Sequence, residues 1–460
     1  MESHHRSGAQ LNYQFEYGKD LPSADMNLML LHPSFDVNEK GHLTIGGLDT
    51  SALSDTYGTP AYYLDIDAVR AMCRMYKNNF ETCFGGASTP IYAGKALCIK
   101  KLYSIIAEEG LMADCVSPGE LHTAHAAGFP MEKVFFHGNN KTDADLRYAL
   151  ELGVGHIVVD GLDELNALNR IAGEMEKKAV VLLRITPGID PHTHQKIITG
   201  NVDSKFGMAI LTGQAMEFVK AALAAEHLIL DGFHCHVGSQ IFDIAPFREA
   251  AEIMLAFVAR VRSECGYMAG ILNIGGGFGV RYTEEDPEID YAANIRALGE
   301  EFDAICAELN IPKPAIMMEP GRSIVAAAGA TVYTVGSVKT VTGFRNYVSV
   351  DGGMPDNPRY TLYGSRYTVV NADKADAPAD YECTLAGRCC ESGDLLAEGI
   401  SIAKPERGSH LAVLVTGAYN HSMASNYNRI PRPPVIFIEN GQSSVAVRRE
   451  TYEDLLALED

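Results

Sequence analysis

The chain has 460 residues, 47% hydrophobic and 21% charged, a composition typical of a globular protein with two or three domains. Acidic residues outnumber basic residues by 59 to 38, and the net charge of -21 argues against nucleic acid, whose phosphates need clustered Lys and Arg. The first ten residues lack the apolar region of a signal peptide, and the run at 324–333 is far shorter than a membrane span of about 20 residues. We therefore expect a soluble, cytoplasmic protein without a membrane partner.

The N-terminal segments differ from the rest of the chain. Residues 1–30 match no recognisable motif, and with the polar stretch ESHHRSGAQ they are predicted to be a disordered extension. Residues 31–61 contain an early strand and turn, which we assign to a β domain together with the C-terminal part of the chain.

From residue 62 to residue 325, short apolar runs alternate with segments of helical period, which is typical of parallel strands joined by crossover helices. The predicted strands are 90–94, 111–117, 134–138, 156–160, 179–185, 230–238, 271–277 and 315–321. Eight such units predict an α/β fold, a (β/α)₈ barrel of the TIM type. The strand-rich remainder, 326–460, predicts an antiparallel β barrel or sandwich as a second domain.

Polar residues cluster where the predicted barrel strands end. They are Lys95, Asp114, Ser117, His137, Asp160, Arg184, His236, Gly275 to Gly277 and Glu319. Because the carboxyl ends of parallel barrel strands share one rim, and barrel enzymes build their sites there, we expect one active site at this rim.

Taken singly, these residues leave more than one interpretation open. Lys95 is either a partly buried amine that forms a Schiff base or a rim lysine in an ion pair. The glycine-rich stretch 273–279 is either an anion-binding nest or a tight turn, and Glu319 with Arg322 could be a simple salt bridge.

His234 and His236 share one face of their strand, which suits either a metal or a flat cofactor ring. We favour the ring, because no nearby carboxylate or third ligand is apparent, and we predict no metal.

The ten cysteines fall at irregular distances without a C-x-x-C pair, so we expect neither a disulfide framework nor a structural zinc. Cys389 and Cys390 are adjacent, and in an extended strand their side chains would point to opposite faces. They are therefore a poor disulfide pair.

Many motifs together resemble the diaminopimelate decarboxylase family, among the pyridoxal-phosphate decarboxylases of basic amino acids with an alanine-racemase-like barrel and a C-terminal β domain. The motifs, in chain order, are YAGKAL around Lys95, ADCVSPGEL around Asp114, HGNNK (137–141), DSKFGM (203–208), FHCHVGSQ around His236, NIGGGFG (273–279), EPGRS (319–323), VDGGMPDNPRYTLYG (350–364), CCESGD (389–394) and TGAYNHSMASNYNR (416–429). The resemblance extends from about residue 40 to the C-terminus.

The resemblance implies a role for each motif residue. Lys95 binds pyridoxal 5'-phosphate covalently, His236 stacks on the pyridine ring, Glu319 pairs with the ring nitrogen, and Cys390 returns a proton to the substrate's Cα. These four form the expected catalytic set. The other expected cofactor-binding residues are Asp114, Gly238, Ser239, Gly275, Gly276, Gly277, Pro320, Gly321, Arg322 and Tyr419.

The expected substrate-binding residues are Arg322, Arg359, Tyr363, Glu391 and Tyr419. Because an anion and two cations suit an amino-acid head at the far end of the substrate, we predict decarboxylation of meso-2,6-diaminopimelate to L-lysine and CO₂, the last step of bacterial-type lysine biosynthesis. The alternative is decarboxylation of lysine, ornithine, arginine or carboxynorspermidine on the same fold. The resemblance also implies a homodimer in which the Cys390–Glu391 segment reaches into the partner's barrel.

Overall fold

The computed structural model describes residues 32–189 and 204–460. The predicted disordered extension at 1–30 lies outside these residues. The strands, numbered in chain order, are β1 (Phe35–Val37), β2 (Leu43–Ile45), β3 (Leu48–Asp49), β4 (Ala61–Asp65), β5 (Thr89–Ala93), β6 (Met112–Cys115), β7 (Val134–Phe136), β8 (His156–Val159), β9 (Ala179–Thr186), β10 (Met208–Ala209), β11 (Leu228–His234), β12 (Ile271–Asn273), β13 (Ala315–Met318), β14 (Gly329–Val341), β15 (Arg345–Val350), β16 (Val369–Asn371), β17 (Tyr381–Ala386), β18 (Leu395–Ile402), β19 (His410–Leu414), β20 (Val435–Glu439) and β21 (Gln442–Val447).

The α-helices are α1 (Thr50–Tyr57), α2 (Ile66–Phe84), α3 (Lys100–Glu108), α4 (Pro118–Ala126), α5 (Asp143–Leu152), α6 (Leu162–Glu174), α7 (Gln214–Ala224), α8 (Ala245–Cys265), α9 (Tyr291–Glu308), α10 (Arg322–Val325), α11 (Arg359–Tyr363) and α12 (Tyr452–Leu456). Several of them begin at the residue types that satisfy the free N–H groups of a first turn. Asp65, Ser117 and Thr142 each accept a backbone hydrogen bond at the start of α2, α4 and α5 respectively.

The predicted barrel is confirmed. Eight parallel strands run in the order β9-β11-β12-β13-β5-β6-β7-β8, and β8 pairs again with β9, which closes the sheet. The inside is filled by six buried apolar side chains: Ile91, Phe135, Val158, Leu182, Ile271 and Met317. The crossover helices cover the outside, so the barrel strands are apolar on both faces, as the sequence pattern requires.

A second sheet of nine strands forms the β domain, and it is mixed rather than purely antiparallel. Its main path is β18-β17-β15-β14-β4-β20-β21, with β16 and β19 attached through β14. The pairs β4–β20 and β15–β17 are parallel. Strand β4 enters this sheet from a segment that precedes the barrel. Strands β1 to β3 form a separate sheet, and the predicted domain limits stay a prediction.

The strand predicted to carry Cys389 and Cys390 ends earlier than expected. β17 ends at Ala386, and the two cysteines lie in a bend that leads to β18. Strand alternation therefore does not apply to them. The bend forms because the backbone turns around the buried carboxylate of Asp394, which accepts a hydrogen bond from the N–H of Cys389 at 2.7 Å.

Within 32–189 and 204–460, the structure contains no helix that is both long enough and apolar enough to cross a membrane.

Candidate active site

One large cavity opens at the carboxyl ends of the barrel strands, against the β domain. Its volume is about 720 Å³, within the range of small-molecule sites. The predicted residues that line it are Lys95, Asp114, His236, Ser239, Glu319, Arg322, Arg359, Tyr363 and Tyr419. The structure thus brings these side chains together at the rim of the barrel, where the sequence predicted a single site.

Lys95 follows β5 in a single 3₁₀ turn, Gly94–Ala96. The side chain is exposed to the cavity, where a ligand can reach it. The turn is held from the β domain, since the backbone N–H of Tyr419 donates to the carbonyl of Ala96 at 2.7 Å. Tyr419 adopts a φ of 67°, an unusual conformation for a side-chain-bearing residue that this contact helps to hold.

Glu319 follows β13 and is buried at the bottom of the cavity. Its Oε1 accepts a hydrogen bond from Asn273 Nδ2 at 2.7 Å, and the ring nitrogens of His137 and His234 lie 3.0 and 3.2 Å from the same oxygen. Burial favours the protonated form, but the facing imidazoles hold the pKa of Glu319 well below its usual range. Glu319 is therefore an ionised carboxylate at neutral pH.

The expectation that no carboxylate or third ligand lies near His234 is wrong. His137, His234 and Glu319 present ligand atoms within 4.8 Å of one another, an arrangement that could hold a metal ion, and His236 is not part of it. The contact depends on closure of the barrel, because the three residues end strands β7, β11 and β13, which are far apart in sequence.

His236 lies two residues beyond β11 and lines the cavity on the same side as His234. Burial lowers the pKa of His234 to about 4, and burial and then the nearby Lys95 ammonium lower the pKa of His236 well below its usual value. Both imidazoles are therefore neutral at pH 7. A neutral, flat ring suits packing against another ring better than binding an anion.

Asp114, at the end of β6, is buried and lies 3.9 Å from His137. Burial raises the pKa of its carboxyl group.

The glycine turn after β12 forms a smaller cavity of about 60 Å³ beside the main one. Gly276, Gly277, Ser239, Pro320 and Gly321 all line it. A Cβ on Gly276 would overlap the carbonyl of Glu319, and one on Gly277 would overlap the carbonyl of Gly238, so this backbone has no space for side chains. Gly275 lies at the start of the turn with a φ of 72°.

Two arginines lie over one aromatic ring in the main cavity. The guanidinium carbons of Arg322 and Arg359 are 4.8 and 5.2 Å from the ring centroid of Tyr419, and Arg359 is also 5.2 Å from that of Tyr363. Arg322 donates to the hydroxyls of Tyr282 and Ser239 at 2.7 and 2.8 Å. The Nε atoms of both arginines are buried without a hydrogen-bond partner. Both side chains line the cavity, so their positive charge makes this part of it suitable for an anion.

Cys390 and Glu391 are not brought to this cavity by their own chain. Both are exposed, and neither is among the cavity-lining residues in the described part of the chain. The bend that carries them is fixed, since the N–H of Cys390 donates to Asn428 Oδ1 at 2.7 Å.

Sequence reasoning missed several residues of the site. His137 and Arg184 had been noted at strand ends but given no role, although both line the cavity. Asn273 and Tyr282 were missed altogether, because a lone amide and a lone tyrosine beside a glycine turn carry no specific signal.

The sequence and the structure are both similar to those of known pyridoxal-dependent enzymes. The family model described as "Pyridoxal-dependent decarboxylase, pyridoxal binding domain" matches residues 66–326. The diaminopimelate decarboxylase of Bacillus methanolicus is 46% identical over 422 residues, covering 92% of this chain and 98% of the relative. That of Bacillus subtilis is 45% identical over 431 residues, covering 94% and 98%. The crystal structure of diaminopimelate decarboxylase from M. jannaschii in complex with L-lysine has a TM-score of 0.86 and 31% identity, covering 93% of this chain and 98% of that one.

The chain therefore belongs to the pyridoxal-dependent decarboxylases, which are lyases, and its cofactor is pyridoxal phosphate. Within that family, the relatives just described are diaminopimelate decarboxylases, so the resemblance found in the sequence is confirmed.

The residues of the cavity fit this cofactor. Lys95 offers an accessible amine, the ionised Glu319 offers an acceptor for a protonated ring nitrogen, and the side-chain-free glycine turn offers backbone N–H groups to a phosphate. Oε2 of Glu319 has only a long contact of 3.4 Å with His234, which leaves this oxygen available to a ring N–H.

Proposed function

We propose that this enzyme decarboxylates meso-2,6-diaminopimelate to L-lysine and CO₂, the last step of bacterial-type lysine biosynthesis. The observation that carries the proposal is the pair of guanidinium groups of Arg322 and Arg359 over Tyr419. Diaminopimelate has a second carboxylate far from the reacting carbon, whereas lysine and ornithine do not. The two guanidinium groups line the cavity and suit that second carboxylate.

The proposed roles at the cofactor follow from the geometry. Lys95 binds the aldehyde carbon, His236 packs against the ring, and Glu319 keeps a proton on the ring nitrogen. We assign the phosphate to the turn made by Gly238, Ser239, Gly276, Gly277 and Gly321, together with Tyr419. Gly275 shapes this turn, since its N–H and its carbonyl are already hydrogen-bonded to Asn273 and to Glu319. Pro320 lines the same small cavity, and Arg322 donates to the hydroxyl of Ser239. Asp114 lies beside His137 and completes the polar floor of the cavity.

When bound, pyridoxal phosphate supplies an electron sink for the pair released as the bond between Cα and the carboxylate breaks. The protein then has to deliver a proton to Cα. A thiol is a suitable donor, because an ordinary thiol pKa of about 8.5 keeps it protonated at neutral pH. We assign this step to Cys390, and we assign recognition of the distal ammonium of the substrate to Glu391.

We further propose that the active site is shared between two copies of the chain. Cys390 and Glu391 are exposed and lie outside the cavity of their own chain, so the donor would come from Cys390 of the partner subunit. Mixing a Lys95→Ala protein with a Cys390→Ala protein should then restore part of the activity, since one of the two mixed sites contains both native residues. Failure of complementation, with subunit exchange verified, would favour a site within one chain.

We also propose that the enzyme acts in the cytoplasm. All ten cysteines are free in the structure, Cys389 and Cys390 included, which fits a reducing compartment.

The attachment of the cofactor is tested optically. The purified protein should show the visible absorption of lysine-bound pyridoxal phosphate and should carry the cofactor permanently after borohydride reduction. Lys95→Ala should abolish both signals, and Lys100→Ala, an exposed lysine at the start of α3, is the matched control that should keep them. Labelling of the Lys95→Ala protein would refute the assignment.

The substrate is tested by offering meso-diaminopimelate, lysine, ornithine, arginine and carboxynorspermidine separately and measuring CO₂ and product. We expect turnover of diaminopimelate alone, with L-lysine as the product. Preferential turnover of a substrate without a distal carboxylate would overturn the substrate assignment while leaving the enzyme class intact.

A further inference from the structure

Asn273, the last residue of β12, contacts two different parts of the site through one side chain. Its Nδ2 donates to Oε1 of Glu319 at 2.7 Å, and its Oδ1 accepts from the backbone N–H of Gly275 at 2.9 Å. The residue is completely buried. The nitrogen of this planar amide is thus bound to Glu319, at the ring-nitrogen end of the proposed cofactor site. The oxygen of the same amide is bound to the glycine turn, at the phosphate end.

The backbone of Asn273 cannot move independently of the barrel. It pairs with His234 on β11 and with Met317 on β13, and its carbonyl accepts from the N–H of Cys235 at 2.8 Å. The next turn is fixed as well, because the N–H of Glu319 donates to the carbonyl of Gly275 at 3.0 Å. The amide therefore acts as a rigid spacer between Glu319 and the glycine turn.

We propose that Asn273 is a positioning residue that sets the carboxylate of Glu319 and the turn at Gly275–Gly277 in register, so that one rigid cofactor meets its ring-nitrogen partner and its phosphate turn together. The inference rests on the cofactor placement proposed above. The two contacts differ in kind: the Nδ2 contact is a hydrogen bond to an ionised carboxylate, whereas the Oδ1 contact is a neutral hydrogen bond that shapes the turn.

This difference allows the two contacts to be separated by substitution. Asn273→Asp is nearly isosteric and keeps an oxygen for the N–H of Gly275, but it replaces the donor to Glu319 with a second carboxylate at close range. Asn273→Ala removes both contacts. The Asp variant should therefore damage the ring-nitrogen end alone, and the Ala variant should damage both ends.

The experiment uses full-length holoenzyme from which the cofactor is removed with hydroxylamine. The dissociation constant of pyridoxal 5'-phosphate is measured by absorbance, and inorganic phosphate is titrated as a competitor that probes the glycine turn alone. We expect both variants to weaken binding of pyridoxal phosphate by at least about tenfold, as for loss of a hydrogen bond to a charged group. The inhibition constant of phosphate should rise for Asn273→Ala and stay within about twofold for Asn273→Asp, a partial rescue that general loss of structure would not produce.

Asn371 provides a matched control in the β domain. It is also buried, its Nδ2 donates to the carbonyl of Ala403 at 3.1 Å, and its Oδ1 accepts from the N–H two residues later, that of Asp373, at 3.2 Å. Asn371→Ala should lower the melting temperature but leave the affinities of the folded protein for both ligands within about twofold, because its local hydrogen bonds are remote from the cavity.

Cofactor affinity within twofold of wild type in either Asn273 variant would overturn the inference, and so would equal weakening of phosphate by both. If phosphate does not compete in the wild-type protein, the placement of the cofactor phosphate in the glycine turn fails first, and the inference with it.

Discussion

Asp394 holds the backbone of Cys389 in place, because the buried carboxylate accepts a hydrogen bond from the Cys389 N–H at 2.7 Å. The other oxygen of Asp394 accepts from the N–H of Met354 at 2.6 Å, and Met354 lies shortly before helix α11, which carries Arg359 and Tyr363. One carboxylate thus ties the bend with the proposed proton donor to the segment with proposed substrate-binding residues.

Asp394→Asn should therefore impair turnover. The new amide would present an NH₂ group to a backbone N–H, which leaves at least one partly buried donor unsatisfied, and we expect the kcat for diaminopimelate to fall by at least about tenfold. The control is Asp380→Asn, an exposed aspartate in the same domain, which should retain wild-type kinetics. Wild-type kcat in a folded Asp394→Asn protein would contradict the proposed role of the bend.

The two adjacent cysteines should differ sharply when each is replaced by serine. Cys390→Ser substitutes a much weaker acid for the proposed proton donor and should lower kcat by about 10²-fold or more, the range of a lost general acid. Cys389→Ser should have less than about a twofold effect, since the Cys389 thiol lies beside the Asp394 carboxylate, which a serine hydroxyl can also contact. Steady-state kinetics of both variants measures the two effects, and equal losses of kcat would refute the proposed difference in role between the two cysteines.

Alkylation offers an independent check on the same pair. Burial, and then the neighbouring Asp394 carboxylate, raises the pKa of Cys389 to about 12, so little reactive thiolate forms at this residue near neutral pH. Cys390 is exposed in the single chain. Under conditions that dissociate subunits without unfolding them, mass spectrometry should find iodoacetamide on Cys390 before Cys389. The reverse order would contradict the described bend.

Arg359→Gln should raise the KM for diaminopimelate. The substitution removes a guanidinium that lies over Tyr419 and Tyr363, and the expected loss in kcat/KM is about 10- to 100-fold, as for a hydrogen bond to a charged group. Arg366→Gln is the matched control, because Arg366 lies at the mouth of the same cavity but is exposed and ion-paired with Glu285. Equal effects of the two variants would show general electrostatic attraction rather than a specific contact.

The pH dependence of stability should report the ion pair between His410 and Asp373, whose Nδ1 and Oδ1 are 3.0 Å apart. The hydrogen bond that the His410 ring donates to Asp373 raises the pKa of His410. Burial opposes the ionised form of Asp373, but His410 and Ser51 lower the pKa of Asp373 to about 2. The contribution of His410 to the stability of the folded protein is therefore fully present below the ordinary histidine pKa of about 6.5. It is lost as the pH rises through the raised pKa of His410. The carboxylate contribution is present above about pH 4 and is lost as pH falls towards 2.

His410→Gln should accordingly lower the free energy of unfolding by about 1 kcal/mol near pH 5, a modest amount because the pair is partly solvent-exposed. The loss should be much smaller at pH 9, where His410 is no longer charged. Denaturant unfolding at the two pH values measures the difference. A cost that grows from pH 5 to pH 9 would have the wrong sign for this pair.

The barrel was predictable from sequence because each strand is an apolar run and each run ends in a polar residue. That rule placed Lys95, Asp114, His236 and Glu319 at one rim, and the structure brings them into one cavity. It could not show that His137 and His234 converge on Glu319, since this proximity exists only once the sheet is closed.

The bend at Cys389 and Cys390 was not predictable in the same way. The sequence around the bend predicts the continuation of a strand. The bend is instead stabilised by Asp394, which accepts hydrogen bonds from the N–H groups of Cys389 and Met354, two residues that are distant in sequence. A long-range hydrogen bond between a backbone N–H and a side chain leaves no periodic pattern in the sequence. The same reason hides the contact of Asn273 with Glu319, which exists only across adjacent barrel strands, whereas its contact with Gly275 is local.

Strand β4 lies in the middle of the β domain, yet it is made before the barrel. It pairs with β14, at residues 329–341, and with β20, at residues 435–439. During synthesis this strand must therefore leave the ribosome with both of its edges unpaired and remain so until the whole barrel has been made. The barrel can form from sequential units, whereas the β domain depends on contacts between distant parts of the chain, which are slow to form. We expect newly made chains to pass through a state with a folded barrel and an open sheet, in which the cavity still lacks Arg359 and Tyr419.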